Sequence, residues 1–385
     1  MTGRIAYTGA RIFDGDTWWE RSALVVSGDR IEGIIAADSP TDAVRVPLGG
    51  GILTPGFIDL QVNGGGGALF NLDPTVQTIE TICKAFTPFG TTACLPTLIT
   101  DTPEVNARAV AAGIAAAERK VTGFLGLHLE GPHLSVARKG AHDPALIRPM
   151  EEDDLLRLVE ARRRLPNLLT TVAAETVTPN QITRLRDAGL VVSIGHTDAS
   201  YAVARRAVEA GASMATHIFN AQSQLSNREP GVVGAVIDLP VWAGLIADGI
   251  HVHPVSIGVA LRAKRGPGRI FLVTDAMSVT GTDATSFELT GRTVYRKDGA
   301  LRLADGTLAG ADLTMIDAVT FVHRTIGLPL EEALRMASLY PAEAIGLGGE
   351  RGRLKPGMRA DLVHLGDNLD VRRTVIGGET VWTAA

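Results

Sequence analysis

Eight strand-like segments, most of them followed by a helical pattern, fill the chain from Pro55 to Met277. They are FIDLQVN, TTACLPTLI, GFLGLHLEG, LLTTVAAE, LVVSIGH, MATHIFNA, WAGLIADG and IFLVTDAM. Intervening segments such as VQTIETICKAF, VNARAVAAGIAAAERK, DDLLRLVEARRR and HPVSIGVALRAKR carry apolar residues at i, i+3 and i+4, the period of an amphipathic helix. Eight strand–helix units are the number in a (β/α)8 barrel, whose parallel strands are enclosed by helices. The alternation therefore predicts an α/β protein with a TIM (β/α)8 barrel.

β-rich segments stand at both ends of the chain. The first is RIAYTGARIFDG and the last is GRLKPGMRADLVHLGDNLDVRRTVIGGETVW. Because 385 residues exceed what one compact core usually fills, we predict a small β-sandwich domain formed by residues 1–53 and 347–385 and a barrel domain of residues 54–346. A glycine-rich β segment near residues 285–310 and two helices after it are assigned to the barrel domain.

Charge and cysteine usage exclude several classes of protein. The formal net charge of −5 is spread along the chain without a basic block, so we expect no nucleic-acid partner. No apolar run reaches the roughly 20 residues that span a bilayer, and the N-terminus lacks a signal-peptide pattern, so we expect no membrane partner. Cys83 and Cys94 lie in apolar segments without metal-ligand spacing, which favours reduced thiols and a cytoplasmic location.

Histidine and carboxylate residues gather where the predicted strands end. Seven of the nine histidines lie between His128 and His253. Since the C-terminal ends of parallel barrel strands meet on one face, we expect the following four residues to lie close together: Glu130, His196, His217 and Asp275. Each residue taken alone is more simply explained as a hydrogen-bonded group at the barrel rim, but the set favours metal ligation.

Glu130, His196 and His217 form a His2Glu set, which suits a catalytic zinc ion with an open coordination position. Fe(II), Co and Mn also accept such a set. A divalent ion polarises a carbonyl and makes water nucleophilic at neutral pH, the two requirements for hydrolysing an amide. Asp275 beside it is suited to moving a proton, with a structural cap on the following segment as the alternative.

Eight motifs occur in the order and spacing of the amidohydrolase superfamily: TPGFIDLQVNGGGG, GLHLEGPH, SIGHTD, THIFNAQ, REPG, ADGIHV, LVTDAM and LAGADLTM. Together they resemble the N-acetylglucosamine-6-phosphate deacetylase family. The resemblance implies hydrolysis of the acetamide of N-acetyl-D-glucosamine 6-phosphate to D-glucosamine 6-phosphate and acetate, in amino-sugar catabolism or cell-wall recycling. Many members of the superfamily carry His-x-His at the end of the first strand, whereas this chain has Gln61 and Asn63 there. The resemblance is therefore to the members that hold one divalent metal ion per subunit.

The resemblance also implies roles for other residues. Asp275 is the catalytic acid and base, and His142 stabilises charge on the acetyl oxygen. His251 is implied on the phosphate side of the substrate, often across a subunit boundary, which implies a homodimer. The implied substrate-binding residues are Ala141, Asn220, Ala221, Arg228, His251, Leu308, Ala309 and Gly310.

Other functions stay open at this point. A deacetylase for the galactosamine phosphate epimer is one, and a dihydroorotase or dipeptidase is another, although those enzymes generally use His-x-His. A catalytically silent sugar-phosphate binding protein on the same fold is the third. His128 and His133 are left without a role.

Overall fold

The computed structural model describes residues 3–384, which group into two compact units. One unit comprises Met1–Asp59, Phe86–Ala93 and Thr314–Ala385, and the other comprises Leu60–Ala85 and Cys94–Leu313. The helices Met315–Arg324, Leu330–Ala337 and Leu339–Ala344 group with the terminal strands. One reason is that Arg335 donates hydrogen bonds to the carbonyl oxygens of Gly15 and Asp16, both at 2.9 Å. The domain limits at residues 53 and 347 remain a prediction.

The terminal segments form two sheets. The strands of the first, in spatial order, are Arg30–Ala36, Ser22–Ser27, Arg4–Thr8 and Val44–Pro47. Those of the second are Glu379–Thr383, Val371–Ile376, Leu362–Leu365, Ile52–Pro55, Arg11–Phe13 and Trp18–Trp19. Buried residues of both sheets share one core, among them Leu24 and Ile31 from the first and Leu53 and Leu362 from the second. The strand Leu362–Leu365 pairs with Ile52–Pro55, so the two ends of the chain build one sandwich, as predicted.

Eight strands form the parallel sheet of the barrel. In chain and spatial order they are Phe57–Val62, Thr91–Ile99, Leu127–Glu130, Leu168–Val172, Val191–Ile194, Met214–Ala215, Trp242–Leu245 and Ile270–Leu272. The segment after the eighth strand returns to the first, since the backbone N–H of Asp275 donates to the carbonyl of Gln61 at 3.0 Å. The predicted TIM barrel is confirmed, and most strand residues are buried, as expected for strands covered on both faces.

Helices alternate with these strands as the apolar period predicts. Their bounds are Val76–Ala85, Pro103–Glu118, Glu152–Arg164, Pro179–Asp187, Tyr201–Ala210, Gly231–Asp238 and Pro254–Ala263. Hydroxyl side chains begin several of them: those of Thr102, Thr178 and Ser200 each accept a hydrogen bond from a backbone N–H of the first turn. Short 3-10 turns lie at Thr87–Phe89 and Val136–Arg138. Within residues 3–384, no helix has the length and apolar character needed to cross a membrane.

A small antiparallel sheet follows the eighth barrel strand. Its strands are Ser286–Leu289, Arg292–Lys297, Ala300–Arg302 and Leu308–Ala311, and a two-stranded ribbon lies at Gly64–Gly65 and Ala68–Leu69. Met277, Leu289, Leu301 and Ala309 belong to one buried cluster. Ala311 bridges to Ala276, so this sheet is held at the C-terminal end of the barrel.

Candidate metal centre and the cavity around it

The four residues predicted to lie close together, Glu130, His196, His217 and Asp275, all lie at the C-terminal ends of barrel strands. Glu130 is the last residue of the third strand, and His196 and His217 follow the fifth and sixth strands by two residues. Asp275 follows the eighth strand by three residues. Because the strands are parallel, these side chains reach the same end of the barrel.

The ligand atoms of Glu130, His196 and His217 are in mutual contact. Oε1 of Glu130 lies 3.1 Å from Nε2 of His196 and 3.0 Å from Nε2 of His217, and the two nitrogen atoms are 3.2 Å apart. Ligand atoms around a tetrahedral zinc ion are separated by about 3.3–3.5 Å. All three side chains are buried. These residues, which we call the metal cluster, therefore fit a divalent ion after shifts of a few tenths of an ångström.

Hydrogen bonding outside the cluster prepares His196 for ligation. Its Nδ1 lies 2.9 Å from the carbonyl oxygen of Arg138. A carbonyl oxygen only accepts, so Nδ1 carries the hydrogen and Nε2 presents a lone pair to the cluster. Burial acts to raise the pKa of Glu130, but its contacts with His196 and His217 hold that pKa well below its usual value, so the carboxylate is ionised.

His142 is buried beside His196, with ring centroids 4.3 Å apart. The backbone N–H of Thr100 donates to Nδ1 of His142 at 3.3 Å, and the Thr100 hydroxyl lies 2.8 Å from the same nitrogen. Burial holds the pKa of His142 well below its usual value. The ring is therefore neutral with its hydrogen on Nε2.

The tautomer of His142 decides between two possible sets of three metal ligands. Glu130, His142 and His196 also offer ligand atoms within 4.8 Å of one another. A nitrogen that carries hydrogen does not ligate, so the geometry favours His217 as the third ligand and leaves His142 as a hydrogen-bond donor.

Two amide side chains surround the carboxylate of Asp275. Nδ2 of Asn63 donates to its Oδ1 at 2.6 Å, and Nε2 of Gln61 donates to the same oxygen at 3.1 Å. Gln61 also donates to Oε2 of Glu130 at 3.2 Å, so its amide stands between the two carboxylates. Burial, followed by repulsion from Glu130, raises the pKa of Asp275 to about 6.

The backbone is unusual at three of these residues. His196, His217 and Asp275 have φ angles of 46°, 28° and 52°, in the left-handed region that residues with a Cβ rarely adopt. Such conformations cost of order 1–3 kcal/mol each and persist where the surrounding structure enforces them, most often at functional sites.

A cavity of about 210 Å³ opens beside the metal cluster. Seven of the eight predicted substrate-binding residues line it: Ala141, Asn220, Ala221, His251, Leu308, Ala309 and Gly310. Gly310 has φ of +69°, and a Cβ on it would lie 2.4 Å from Cγ of Met277, so only glycine fits this wall. Arg228 is exposed and is not among the lining residues. Its phosphate contact stays a prediction.

His251 lines the same cavity as the metal cluster within one chain. The side chain is 5% exposed, and its Nδ1 lies 2.5 Å from Oδ2 of Asp248. The geometry of a single chain therefore already brings His251 to the site, without a second subunit.

Three residues at the site were not expected from the sequence: Thr100, Asp248 and Met277. Thr100 directly follows the second barrel strand, and Asp248 lies inside the motif ADGIHV, so strand-end position was an available signal for both. His128 and His133 have structural partners. Nε2 of His128 lies 2.7 Å from Oγ1 of Thr171 inside the barrel, and Nδ1 of His133 lies 3.2 Å from the carbonyl oxygen of Arg148.

Comparisons with known proteins agree with this geometry. A sequence model of the amidohydrolase family matches residues 52–381. The chain is 42% identical to an N-acetylgalactosamine-6-phosphate deacetylase of Shewanella sp. (strain ANA-3), over 98% of this chain and 95% of that protein. It is 37% identical to an N-acetylglucosamine-6-phosphate deacetylase of Haemophilus influenzae, over 93% and 94% of the two chains. The crystal structure of N-acetylglucosamine-6-phosphate deacetylase from Pasteurella multocida superposes with a TM-score of 0.95 at 38% identity, over 99% of this chain and 100% of that chain. The predicted resemblance is confirmed, and the chain belongs to the amidohydrolase family.

Proposed function

We propose that this protein hydrolyses the acetamide of N-acetyl-D-glucosamine 6-phosphate, producing D-glucosamine 6-phosphate and acetate. The observation that carries the proposal is the metal cluster of Glu130, His196 and His217 with Asp275 beside it at one cavity. The names of the relatives in Haemophilus influenzae and Pasteurella multocida support the substrate.

The metal cluster would hold one divalent ion, which we propose to be zinc because one carboxylate and two imidazoles suit it. When bound, such an ion polarises a carbonyl and lowers the pKa of water from 15.7 to about 7. Asp275 accepts the proton of the attacking water and returns it to the nitrogen of the leaving amine, since an amide anion is too basic to leave. Gln61 and Asn63 both donate to Oδ1 of Asp275, so Oδ2 is the oxygen left for this transfer.

His142 acts on the other side of the reacting carbon. Its Nε2–H, set by Thr100, donates to the acetyl oxygen as negative charge develops there. A neutral donor suits this position because a positively charged imidazolium would repel the divalent ion and would compete with it for the lone pairs of the acetyl oxygen. Leu308, Ala309 and Gly310 line the wall of the cavity against which the sugar would pack.

The phosphate end of the substrate needs cations. We propose that Arg228 supplies a guanidinium contact and that Asn220 and His251 contact the sugar phosphate inside the cavity. We further propose a homodimer, to be tested by light scattering of the purified protein. A cytoplasmic location fits the two buried thiols of Cys83 and Cys94, whose Sγ atoms are 3.7 Å apart, well beyond disulfide bonding distance.

The galactosamine epimer is the second candidate substrate, favoured by the 42% identity to the Shewanella protein. Acetate release measured on N-acetylglucosamine 6-phosphate and N-acetylgalactosamine 6-phosphate, at equal enzyme and metal, separates the two. We expect the higher kcat/KM on the glucosamine compound. The reverse ranking would assign the galactosamine compound, and no acetate from either would contradict the proposed function.

A further inference from the structure

The loop after the seventh barrel strand contains a buried carboxylate that the proposed reaction does not use. Asp248 follows Leu245, the last residue of that strand, by three positions, and its side chain is 9% exposed. Burying a carboxylate is costly unless hydrogen bonds compensate for the lost water, so each of its oxygen atoms needs a partner.

Both oxygen atoms of Asp248 have distinct partners. Oδ1 accepts from the backbone N–H groups of Ile250 and His251, both at 2.8 Å, which closes a turn. Oδ2 lies 2.5 Å from Nδ1 of His251. Burial acts to raise the pKa of Asp248, but the hydrogen bond from His251 holds that pKa below its usual value.

The contact with Oδ2 determines the chemistry of the imidazole. An ionised carboxylate only accepts, so Nδ1 of His251 carries a hydrogen and faces Asp248. Since His251 lines the cavity, Nε2 is the nitrogen left for a ligand. The ring is held by a charge-assisted hydrogen bond, which is stronger and more directional than a neutral one.

We propose that Asp248 is a positioning residue for substrate binding, which acts through His251 by holding the ring in the Nδ1–H form, so that the lone pair on Nε2 accepts a hydrogen bond from a hydroxyl group of the phosphorylated amino sugar. This inference rests on the proposed function for the identity of the ligand. Closing the turn needs only Oδ1 of Asp248. The contact of Oδ2 with His251 is therefore the observation that supports a positioning role.

Asp14, in the other compact unit, offers a matched control. Its Oδ1 accepts from the backbone N–H groups of Asp16 and Thr17 at 2.8 and 2.7 Å, the same turn, but its Oδ2 accepts from Nε1 of Trp19 at 2.9 Å. Replacing Asp14 removes the same kind of carboxylate without touching a histidine.

The test compares Asp248→Asn, His251→Asn, the double variant and Asp14→Asn. In Asp248→Asn the amide oxygen can keep the turn while the NH2 group faces Nδ1, so the ring must move its hydrogen to Nε2. Nitrogen-15 NMR of histidine-labelled protein should show this change for His251 only. Calorimetry with D-glucosamine 6-phosphate should show about 10-fold weaker binding, because Nε2 then carries a hydrogen and can no longer accept from the sugar hydroxyl, which loses one hydrogen bond.

The double variant should bind no more weakly than His251→Asn, because Asp248 acts only through that ring. Asp14→Asn should melt at a lower temperature yet keep the His251 tautomer and the wild-type Kd. Additive losses in the double variant, or an unchanged His251 tautomer in Asp248→Asn, would overturn the proposal. Neither readout needs turnover, so a protein that released no acetate would contradict the proposed function while the tautomer result still decided the role of Asp248.

Discussion

At the scale of single residues, partners outside the metal cluster decide which atoms face it. The carbonyl of Arg138 leaves a lone pair on Nε2 of His196, and the backbone N–H of Thr100 leaves a hydrogen on Nε2 of His142. The ring centroids of His142 and His196 are 4.3 Å apart, yet one ring presents a hydrogen-bond donor to the site and the other presents a lone pair. We therefore propose His196 as a metal ligand and His142 as a hydrogen-bond donor.

The metal content is the first prediction at this scale. Gln61 and Asn63 turn their NH2 groups towards the carboxylates, and an amide NH2 group only donates, so neither replaces the imidazole nitrogen that would hold a second ion. We expect one tightly held divalent ion per chain by elemental mass spectrometry. His196→Ala should lose the ion together with activity, because a site left with two protein ligands holds metal poorly. His323→Ala, on the helix Met315–Arg324, should keep it, and two ions per wild-type chain would contradict the single-metal assignment.

Replacing Asp275 tests proton transfer separately from binding. Asp275→Asn keeps the size of the side chain but cannot carry the proton, so kcat should fall at least about 100-fold. Metal content and the Kd for D-glucosamine 6-phosphate should stay close to wild type. Near-native turnover would instead make Asp275 a structural cap for the segment that follows.

At the scale of elements, one carboxylate in the connection after the third barrel strand holds the start of the following helix. The helix Glu152–Arg164 begins with a capping box in which the side chain of Asp154 accepts from the backbone N–H of Glu151 at 3.0 Å. Arg148 donates to both oxygens of the same carboxylate, one of them at 2.6 Å. This carboxylate therefore fixes the start of the helix and the segment before it.

Acid stability should report on that carboxylate. Burial acts to raise its pKa, but Arg148 and the backbone of Glu151 lower it from 3.8 to about 2. Because the folded-state value lies below the unfolded one, the stabilisation is complete above pH 3.8 and is lost as pH falls towards 2. Asp154→Asn should therefore lower the free energy of unfolding by about 1 kcal/mol at pH 7, after allowance for solvent screening.

Urea melts at pH 7 and near pH 2 would measure the effect, and the gap between variant and wild type should close at the lower pH. The adjacent Asp153 is the control, since its side chain is 80% exposed and its nearest cation, Arg157, is 4.0 Å away. Asp153→Asn should change the stability little at either pH. An Asp154→Asn gap that is independent of pH would assign the loss to packing instead.

At the scale of the whole molecule, the negative net charge of the chain disfavours binding of the proposed phosphorylated substrate. The chain carries a formal charge of −5, which repels a phosphate dianion, so local cations must overcome the global field. Arg228 is the cation that the sequence motif assigns to this task, and it is exposed outside the lining of the cavity.

Arg228→Ala should raise KM for the 6-phosphate substrate by about 30-fold, the equivalent of a charge-assisted contact of roughly 2 kcal/mol. Unphosphorylated N-acetylglucosamine should be affected little. Arg205→Ala makes the same change in net charge on an exposed helix, where Arg205 pairs with Glu209 at 3.5 Å, and should leave both KM values unchanged. Equal losses on both sugars would remove Arg228 from the phosphate site.

The sequence by itself determined the barrel, the sandwich of terminal strands and the residues that meet at the strand ends. Apolar period distinguishes strand from helix, and parallel strands bring their C-terminal ends to one face whatever their separation along the chain. Glu130, His196, His217 and Asp275 could be selected for that reason alone.

Only the tertiary structure decided which atom of each side chain faces the cavity. The tautomers of His142 and His196 depend on backbone groups of Thr100 and Arg138, which lie 42 and 58 residues away along the chain. Asp248 and His251 lie only three residues apart, but the folded loop decides which nitrogen of the ring faces Asp248. Hydrogen bonds between distant segments form only when the strands have closed, and no local pattern of residues encodes their direction.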